Sequence, residues 1–325
     1  MGRRAQLMLG LVLAGLFGWL ALRDLDRGAL ASALAAPDLR WLVLAPCLLA
    51  AGYACRVARW RMMLATARPG IGMGRCAVPL LGSIALNNLL PLRMGDVLRC
   101  VGFSRWLALD AGTITATVLV ERLLDLLTVL LALGLALLIL APGLPLVGTM
   151  GGALVALGAA ALVLLLAPGL LRPLVRLTEG VLHRLSPRAG AAFSRFATPL
   201  MATLATLARG RRMAALILWS AAVWAFEGAT YWAVAMALPA VTVPVAGWLA
   251  MPAGTLATLL PSTPGHIGTF DYFAIKAAEG LGNPPAAAAA FGVLVHAVLY
   301  LCTTLAGGVC LLIWRLRPDP AEARA

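Results

Sequence analysis

Runs of about 20 apolar residues recur along the chain, and their length limits how it can fold. They cover residues 6–22, 39–58, 110–141, 149–169, 213–238 and 286–314. A helix of this length crosses the hydrocarbon core of a bilayer, which is ~30 Å thick. With 62% hydrophobic and 12% charged residues in 325 positions, the chain is far more apolar than a soluble domain. We therefore predict an all-α polytopic membrane protein with about six full spans.

Two further apolar stretches, 76–104 and 246–282, are broken by proline, glycine and charged residues in a related order. Each contains Leu-Leu-Pro, then a turn with glycine, then an acid: Leu89 to Asp96 and Leu259 to Asp271. Non-helical backbone at membrane depth is tolerated only where it is buried in protein or lines a cavity. Paired breaks in the two halves of a chain therefore indicate a binding site. We predict two re-entrant hairpins.

The arginines are distributed unevenly between the two sides that these spans define. Six crossings with two re-entrant hairpins place nineteen arginines inside, and only Arg23, Arg27 and Arg40 outside. Because cytoplasmic loops carry the excess of basic residues, we predict an inner-membrane protein with both termini cytoplasmic. The hairpins then enter from opposite sides, which predicts two inverted halves, 1–170 and 213–315, within one domain. Eight full spans give the same termini, so re-entrance stays open.

Residues 171–212, between the halves, carry eight arginines interleaved with leucine and valine at helical spacing. The pattern predicts amphipathic helices on the membrane surface, interrupted near Pro187 and Pro199, with anionic lipid headgroups as partners of the arginines. For the second half of this connector, a solvated basic segment explains the pattern equally well. The net charge of +13 does not indicate nucleic acid, because the basic residues lie between apolar runs.

Ionisable residues within the apolar segments indicate chemistry, because each costs at least ~2.5 kcal/mol at the bilayer centre when it faces lipid. These residues could be present because they pair with one another and hold the bundle together. For Arg99 and Arg122, this structural explanation is as good as a role in function. For the acids a polar cavity explains more, because they outnumber the bases that we expect at the same depth. The predicted substrate-binding residues are Asn87, Asn88, Arg93, Asp96, Arg99, Glu121, Asp125, Glu227, His266 and Asp271.

Three of these residues suggest particular roles. Arg93 and Arg99 flank a glycine turn with exposed backbone N–H groups, an arrangement that suits a phosphate. We expect His266, in the second hairpin turn, to contact substrate, and His296 to be a buried polar contact. The six cysteines show no metal-ligand spacing and the chain has no Walker-type loop, so we expect no metal, no cofactor and no nucleotide hydrolysis.

Four short segments form a recognisable set: Arg-x-x-Arg-Trp-Arg at 56–61, Asn-Asn-Leu-Leu-Pro-x-Arg-x-Gly-Asp at 87–96, Val-Glu-Arg-Leu-Leu-Asp at 120–125 and Leu-Pro-x-x-Pro-Gly-x-x-Gly at 260–268. The set resembles the membrane domain of lysylphosphatidylglycerol synthases. That resemblance implies movement of aminoacylated phosphatidylglycerol between leaflets, and some stand-alone members are linked to hopanoid biosynthesis. The sequence ends soon after the last span, so we expect no aminoacyl-transferring domain. His266 stands where the family commonly has glycine, which leaves the headgroup open.

We therefore predict a lipid translocase that moves a phosphate-bearing or aminoacylated lipid between leaflets without ATP hydrolysis. One alternative is a membrane glycosyl- or headgroup-transferase that uses a polyprenyl-phosphate donor, with Asp96 as its carboxylate. Another is a scaffold whose partners are lipid-biosynthesis enzymes. The sequence leaves the lipid and the oligomeric state undetermined.

Overall fold

The computed structural model describes residues 3–23, 26–141, 145–260 and 263–316, and over these residues it contains helices and no strand. The α-helices are α1 (Arg3–Leu22), α2 (Arg27–Leu34), α3 (Leu39–Leu64), α4 (Met73–Leu89), α5 (Met94–Val101), α6 (Ser104–Leu107), α7 (Ala111–Leu140), α8 (Pro145–Leu166), α9 (Arg172–Leu185), α10 (Pro187–Leu207), α11 (Arg212–Ala237), α12 (Gly247–Ala257), α13 (Thr269–Gly280) and α14 (Pro285–Leu316). Short 3-10 turns cover Pro91–Arg93, Pro168–Leu171, Pro244–Ala246 and Pro264–His266.

Five helices of the described chain are long and apolar enough to cross a membrane: α3, α7, α8 over Gly148–Leu166, α11 and α14. They confirm the prediction of an all-helical, multi-pass membrane protein. Helix α1, where the sequence predicts a further span, contains a shorter apolar segment, Leu11–Ala21.

The long helices pack in pairs, with α3 along α11, α7 along α8 and α14 along α4. Small residues allow two of these close contacts. A Cβ at Gly134 of α7 would lie 2.8 Å from the carbonyl oxygen of Gly151 in α8, and a Cβ at Gly307 of α14 would lie 2.3 Å from that of Leu81 in α4. Since hydrophobic burial does little between helices in lipid, close backbone approach of this kind is what holds them together.

Both broken stretches fold back on themselves as helical hairpins. In the first hairpin, α5 packs on α4 so closely that a Cβ at Gly95 would lie 1.9 Å from the Ser83 carbonyl oxygen. In the second, α12 packs on α13, with Gly254 against Phe270. The turns at the ends of the hairpins are here called the first tip, residues 90–94, and the second tip, residues 258–260 and 263–268.

The two tips contact each other. The Nη2 atom of Arg93 in the first tip donates a hydrogen bond to the carbonyl oxygen of Thr258, 3.0 Å away, at the end of α12. In the second tip, a Cβ at Gly265 would lie 3.6 Å from the carbonyl oxygen of Asn88 and 2.7 Å from the ring of Tyr300. The breaks predicted from the two Leu-Leu-Pro segments are therefore adjacent in space.

The basic connector forms α9 and α10. The predicted break near Pro187 is present, since Ser186 caps α10 and Pro187 is its first residue. The predicted break at Pro199 is wrong, because α10 continues through it. Helix α10 packs on α7, and its Leu204 and Leu207 are buried; this burial offsets the hydrogen bond that proline cannot donate. For the second half of the connector, this packing therefore favours a helix that lies against the bundle, and it disfavours a solvated segment.

Candidate functional site

Two arginines of α3 point into the bundle and pair with acids from α7 and α11. Arg56 Nη2 lies 3.0 Å from Glu227 Oε2, and Arg56 Nη1 lies 3.4 Å from Asp125 Oδ2. Arg59, which is fully buried, places Nη1 2.8 Å from Asp125 Oδ1. The indole N–H of Trp224 also donates to Asp125 Oδ1, over 3.2 Å. The four charged groups form one buried network that joins three helices.

This network corrects the expectation that the buried acids outnumber the bases. The sequence places Arg56 and Arg59 at a cytoplasmic edge together with Arg61, but both side chains are buried. The sequence does contain a signal for the burial of Arg56. This residue is 17 residues into a 26-residue helix, or ~26 Å from its start. Its spacing of three from both Tyr53 and Arg59 also places all three residues on one helix face.

A second buried pair joins the first hairpin to α7. Arg99 Nη1 and Nη2 donate to Glu121 Oε1 and Oε2 over 3.0 and 2.7 Å. The Arg99 guanidinium also lies over the Trp60 ring, 3.8 Å from its centroid. Both terminal nitrogens of Arg99 are thus directed at the carboxylate in the two-pronged geometry that arginine favours. The arrangement is that of a pair that holds α5 against α7.

Asp96 has a comparable position on the same hairpin. Its Oδ1 atom lies 2.7 Å from Arg122 Nη2 and accepts a hydrogen bond from Asn87 Nδ2 over 3.1 Å. In return, Asn87 Oδ1 accepts the backbone N–H of Asp96 over 3.2 Å. Asn87 therefore joins α4 to α5 by two hydrogen bonds, and Asp96 joins both to α7.

A polar pocket of ≈ 180 Å³ lies between the second tip and helices α3, α4, α11 and α14; we call it the central pocket. Its polar lining includes Tyr53, Asn88, Glu227, Thr258, His266 and His296. Glu227 supplies a carboxylate beneath the pocket, held by Arg56. Arg93, bonded to the lining residue Thr258, supplies a positive charge beside the tips. The pocket thus has groups of opposite charge at its boundary.

Two apolar grooves adjoin the central pocket on different faces of α14. The first, of ≈ 360 Å³, lies between α3, α4 and α14 and shares Tyr53 and Thr303 with the pocket. The second, of ≈ 470 Å³, lies between α1, α13 and α14 and shares His296 and Tyr300 with it. We call them the α3/α4 groove and the α1/α13 groove. A polar site with apolar channels at both sides suits a molecule with a polar and an apolar part.

The second tip is shaped by residues in the left-handed region. Gly265, His266 and Gly268 have φ of 71°, 60° and 88°. Glycine adopts such angles at no steric cost, but histidine does not. His266 therefore stands where the backbone favours glycine, and it lines the central pocket. Residues held in such regions by their surroundings are concentrated at functional sites.

The ten predicted residues fall into two groups. Those in or beside the central pocket are Asn88, Arg93, Glu227, His266 and Asp271, the last through its contact with the lining residue His296. Those that the structure places in ion pairs and hydrogen bonds between helices are Asn87, Asp96, Arg99, Glu121 and Asp125. Site residues absent from the predicted set are Tyr53, Arg56, Arg59 and His296.

The fold and the charged segments can be compared with known proteins. No curated protein matches the chain. The family model described as the lysylphosphatidylglycerol synthase TM region matches residues 7–307. That match takes in both hairpins, the connector and every helix that contributes to the central pocket. It confirms the resemblance inferred from the four short segments, and the chain belongs to the lysylphosphatidylglycerol synthase TM region family.

Proposed function

We propose that the protein moves a polar lipid between the leaflets of its membrane without hydrolysing a nucleotide. The observation that carries this proposal is the central pocket with an apolar groove on either side of α14. The headgroup occupies the pocket, while acyl chains occupy a groove or the lipid beyond it. A soluble substrate would have no use for grooves of ≈ 360 and ≈ 470 Å³ that have few polar lining residues.

The charges around the pocket favour a headgroup with a phosphate and a second polar part. Arg93 suits the phosphate, since a guanidinium group is one of its usual ligands. Glu227 engages Arg56 through Oε2, and a carboxylate has further lone pairs that can accept from an ammonium or hydroxyl group. The volume of ≈ 180 Å³ is below the usual range for drug-sized ligands. A small headgroup, such as an aminoacylated glycerol phosphate, fits this description better than an oligosaccharide.

The two hairpins supply the element that moves. The two tips contact each other, and Thr258, Gly265 and His266 of the second tip line the pocket. In transporters built from inverted halves, a central site is exposed to one side or the other when one half moves against its counterpart. We propose that the hairpins belong to two such halves, with cytoplasmic termini, and that tip separation exposes the headgroup to each leaflet in turn.

The test is lipid exchange in liposomes that contain the purified protein. Labelled lipids with anionic, aminoacylated, polyprenyl-phosphate and neutral headgroups are placed in one leaflet, and their appearance in the other is measured. We expect rapid exchange of one class, reduced at least tenfold by Glu227→Gln. The matched control is Glu279→Gln, an acid of α13 paired with the exposed Lys276, which should exchange lipid at the wild-type rate.

Three outcomes count against the proposal. Folded protein that exchanges no lipid of the panel, with or without an imposed ion gradient, would exclude a translocase. Covalent transfer of a headgroup or sugar to a lipid acceptor would instead establish the transferase. Loss of exchange in Glu279→Gln as large as that in Glu227→Gln would show that the pocket acid has no particular role.

A further inference from the structure

In the described ranges, one acid at membrane depth pairs with a histidine, whereas the other acids at that depth pair with arginine. Asp271, at the start of α13, places Oδ1 2.6 Å from His296 Nδ1 of α14. Its Oδ2 atom accepts the backbone N–H of Gly268 over 2.8 Å. The other ring nitrogen of His296, Nε2, lies 2.9 Å from the carbonyl oxygen of Gly265. Both glycines belong to the second tip.

These contacts fix the number of protons that the pair holds. A carbonyl oxygen only accepts, so Nε2 of His296 must carry a hydrogen to bond to Gly265. The 2.6 Å contact between Nδ1 and Asp271 Oδ1 needs a second hydrogen, whichever atom carries it. The pair therefore holds two protons and is neutral overall, either as imidazolium with carboxylate or as imidazole with carboxylic acid.

Loss of one proton must break one contact. If the remaining hydrogen stays on Nε2, the lone pair of Nδ1 faces the carboxylate of Asp271. If it moves to Nδ1, the lone pair of Nε2 faces the Gly265 carbonyl. In both cases one of the two links between α14 and the second tip becomes repulsive. Release of the proton thus loosens the tip, and its return restores the attachment.

The other membrane-depth acids in the described chain do not have this property. Glu121, Asp125, Glu227 and Asp96 all pair with arginine, which stays protonated under every physiological condition. Histidine is the side chain whose ordinary titration falls between pH 5 and 8. His296 also lies on the boundary shared by the central pocket and the α1/α13 groove. A change at this pair therefore acts where the headgroup site meets the lipid path.

We propose that Asp271 and His296 form a proton-binding site that couples proton movement to lipid movement. With the proton bound, the second tip is attached to α14 and the central pocket is closed on the side of the α1/α13 groove. With the proton released, the tip separates and that side opens. The inference rests on the proposed translocase function and adds the coupled ion to it.

The surroundings of the pair contain other groups that titrate or carry charge. From α11 they are Glu227 and Tyr231, from the second tip His266, from the first tip Arg93, and from α13 and α14 Tyr272 and Tyr300. Glu227 is neutralised by Arg56, and tyrosine titrates near pH 10. His266 is the other histidine in these surroundings, so its substitution provides a control.

Asp271→Asn is the decisive variant because it copies the proton-loaded pair. An asparagine amide can donate to Nδ1 of a neutral His296 while its oxygen accepts from Gly268, so both links to the tip persist. This side chain cannot release the proton. We therefore expect it to fold and to keep the tip attached at every pH between 5 and 9.

The first measurement is hydrogen exchange of the backbone amides at 263–272 in lipid nanodiscs, corrected for the intrinsic pH dependence of exchange. We expect the wild type to lose protection at least tenfold as the pH rises from 5 to 9. Asp271→Asn should stay protected throughout, while His266→Gln and Glu279→Gln should follow the wild type. Equal pH dependence in wild type and Asp271→Asn would overturn the proton site.

The second measurement is the distribution of the transported lipid under a gradient of two pH units across the liposome. For one proton per lipid, the gradient supports a ratio between the leaflets of up to ~100, because each pH unit corresponds to a factor of ten. In Asp271→Asn, a lipid that starts equally distributed should stay at a ratio of one, because the tip does not separate. Exchange that stays symmetric in the wild type would refute the coupling alone, whereas absence of all exchange would refute the translocase itself.

Discussion

The pair of Arg99 and Glu121 gives a direct test of how the buried charges stabilise the fold. The side chains are 1% and 5% exposed and are joined by two hydrogen bonds of 3.0 and 2.7 Å. Removal of one partner of such a pair leaves a buried charge alone, which costs ~3–5 kcal/mol. Arg99→Met should therefore lower the free energy of unfolding by about 4 kcal/mol at pH 7.

The same reasoning predicts how this loss depends on pH. Without Arg99, Glu121 can avoid the cost of a buried charge by taking up a proton. At pH 7 this protonation costs ~4 kcal/mol for a carboxyl group of ordinary acidity. Each unit of lower pH reduces that cost by ~1.4 kcal/mol. At pH 5.5 the variant should thus recover about 2 kcal/mol. Glu121→Leu leaves Arg99 alone instead, and because arginine does not lose its proton, this variant should recover nothing.

The assay is reversible unfolding in mixed detergent micelles titrated with a denaturing detergent, with helix content measured by circular dichroism. The double variant Arg99→Met with Glu121→Leu replaces the pair by apolar side chains and should lie within about 2 kcal/mol of the wild type, since such replacements are often neutral. A double variant as unstable as Arg99→Met, or a loss that is the same at pH 5.5 and 7, would refute the reasoning.

Two further predictions concern the hairpin and the surface helix. Gly95→Ala should prevent α5 from packing on α4, because the new Cβ would lie 1.9 Å from a carbonyl oxygen. The sensitivity of this hairpin to protease should therefore rise. The control Gly74→Ala, which has open space around the new Cβ, should behave as the wild type. We also propose that α9 lies on anionic lipid through its exposed leucines. An environment-sensitive dye on a cysteine that replaces Leu177 should shift to shorter wavelength in anionic vesicles, and the same dye at position 176 should not; equal spectra would refute the surface contact.

Local pattern was sufficient to predict the helices and the two hairpins. Apolar runs of bilayer length identify α3, α7, α8, α11 and α14 because the bilayer itself imposes that length. The hairpins follow from Leu-Leu-Pro and glycine, since these residues end a helix wherever they occur. At Pro199 this rule failed because tertiary packing holds α10 together. A local signal is reliable only where no distant contact opposes it.

The pairing of charges was beyond prediction because it depends on residues far apart in the sequence. Arg56 lies 171 positions from its partner Glu227, and no local feature of either residue identifies the other as its partner. The sequence shows each charge and its depth, but which face of α3 meets α11 is decided by packing of small residues such as Gly52, whose Cβ would lie 3.2 Å from Phe226. His296, predicted to be a buried polar contact, makes polar contacts but is only partly buried, and its bond to Asp271 depends on the fold of the second hairpin.

The distribution of arginine and histidine among the buried pairs separates what is fixed from what can move. Arginine pairs join α3, α5, α7 and α11, and a pair that cannot lose its charge gives these helices one stable arrangement. The second tip is attached to α14 through histidine, so its attachment depends on a proton. Its contact with the first tip in the described chain includes the hydrogen bonds of Arg93 to Thr258. The second hairpin is therefore the part of the site that can open while the arginine-linked helices keep their positions.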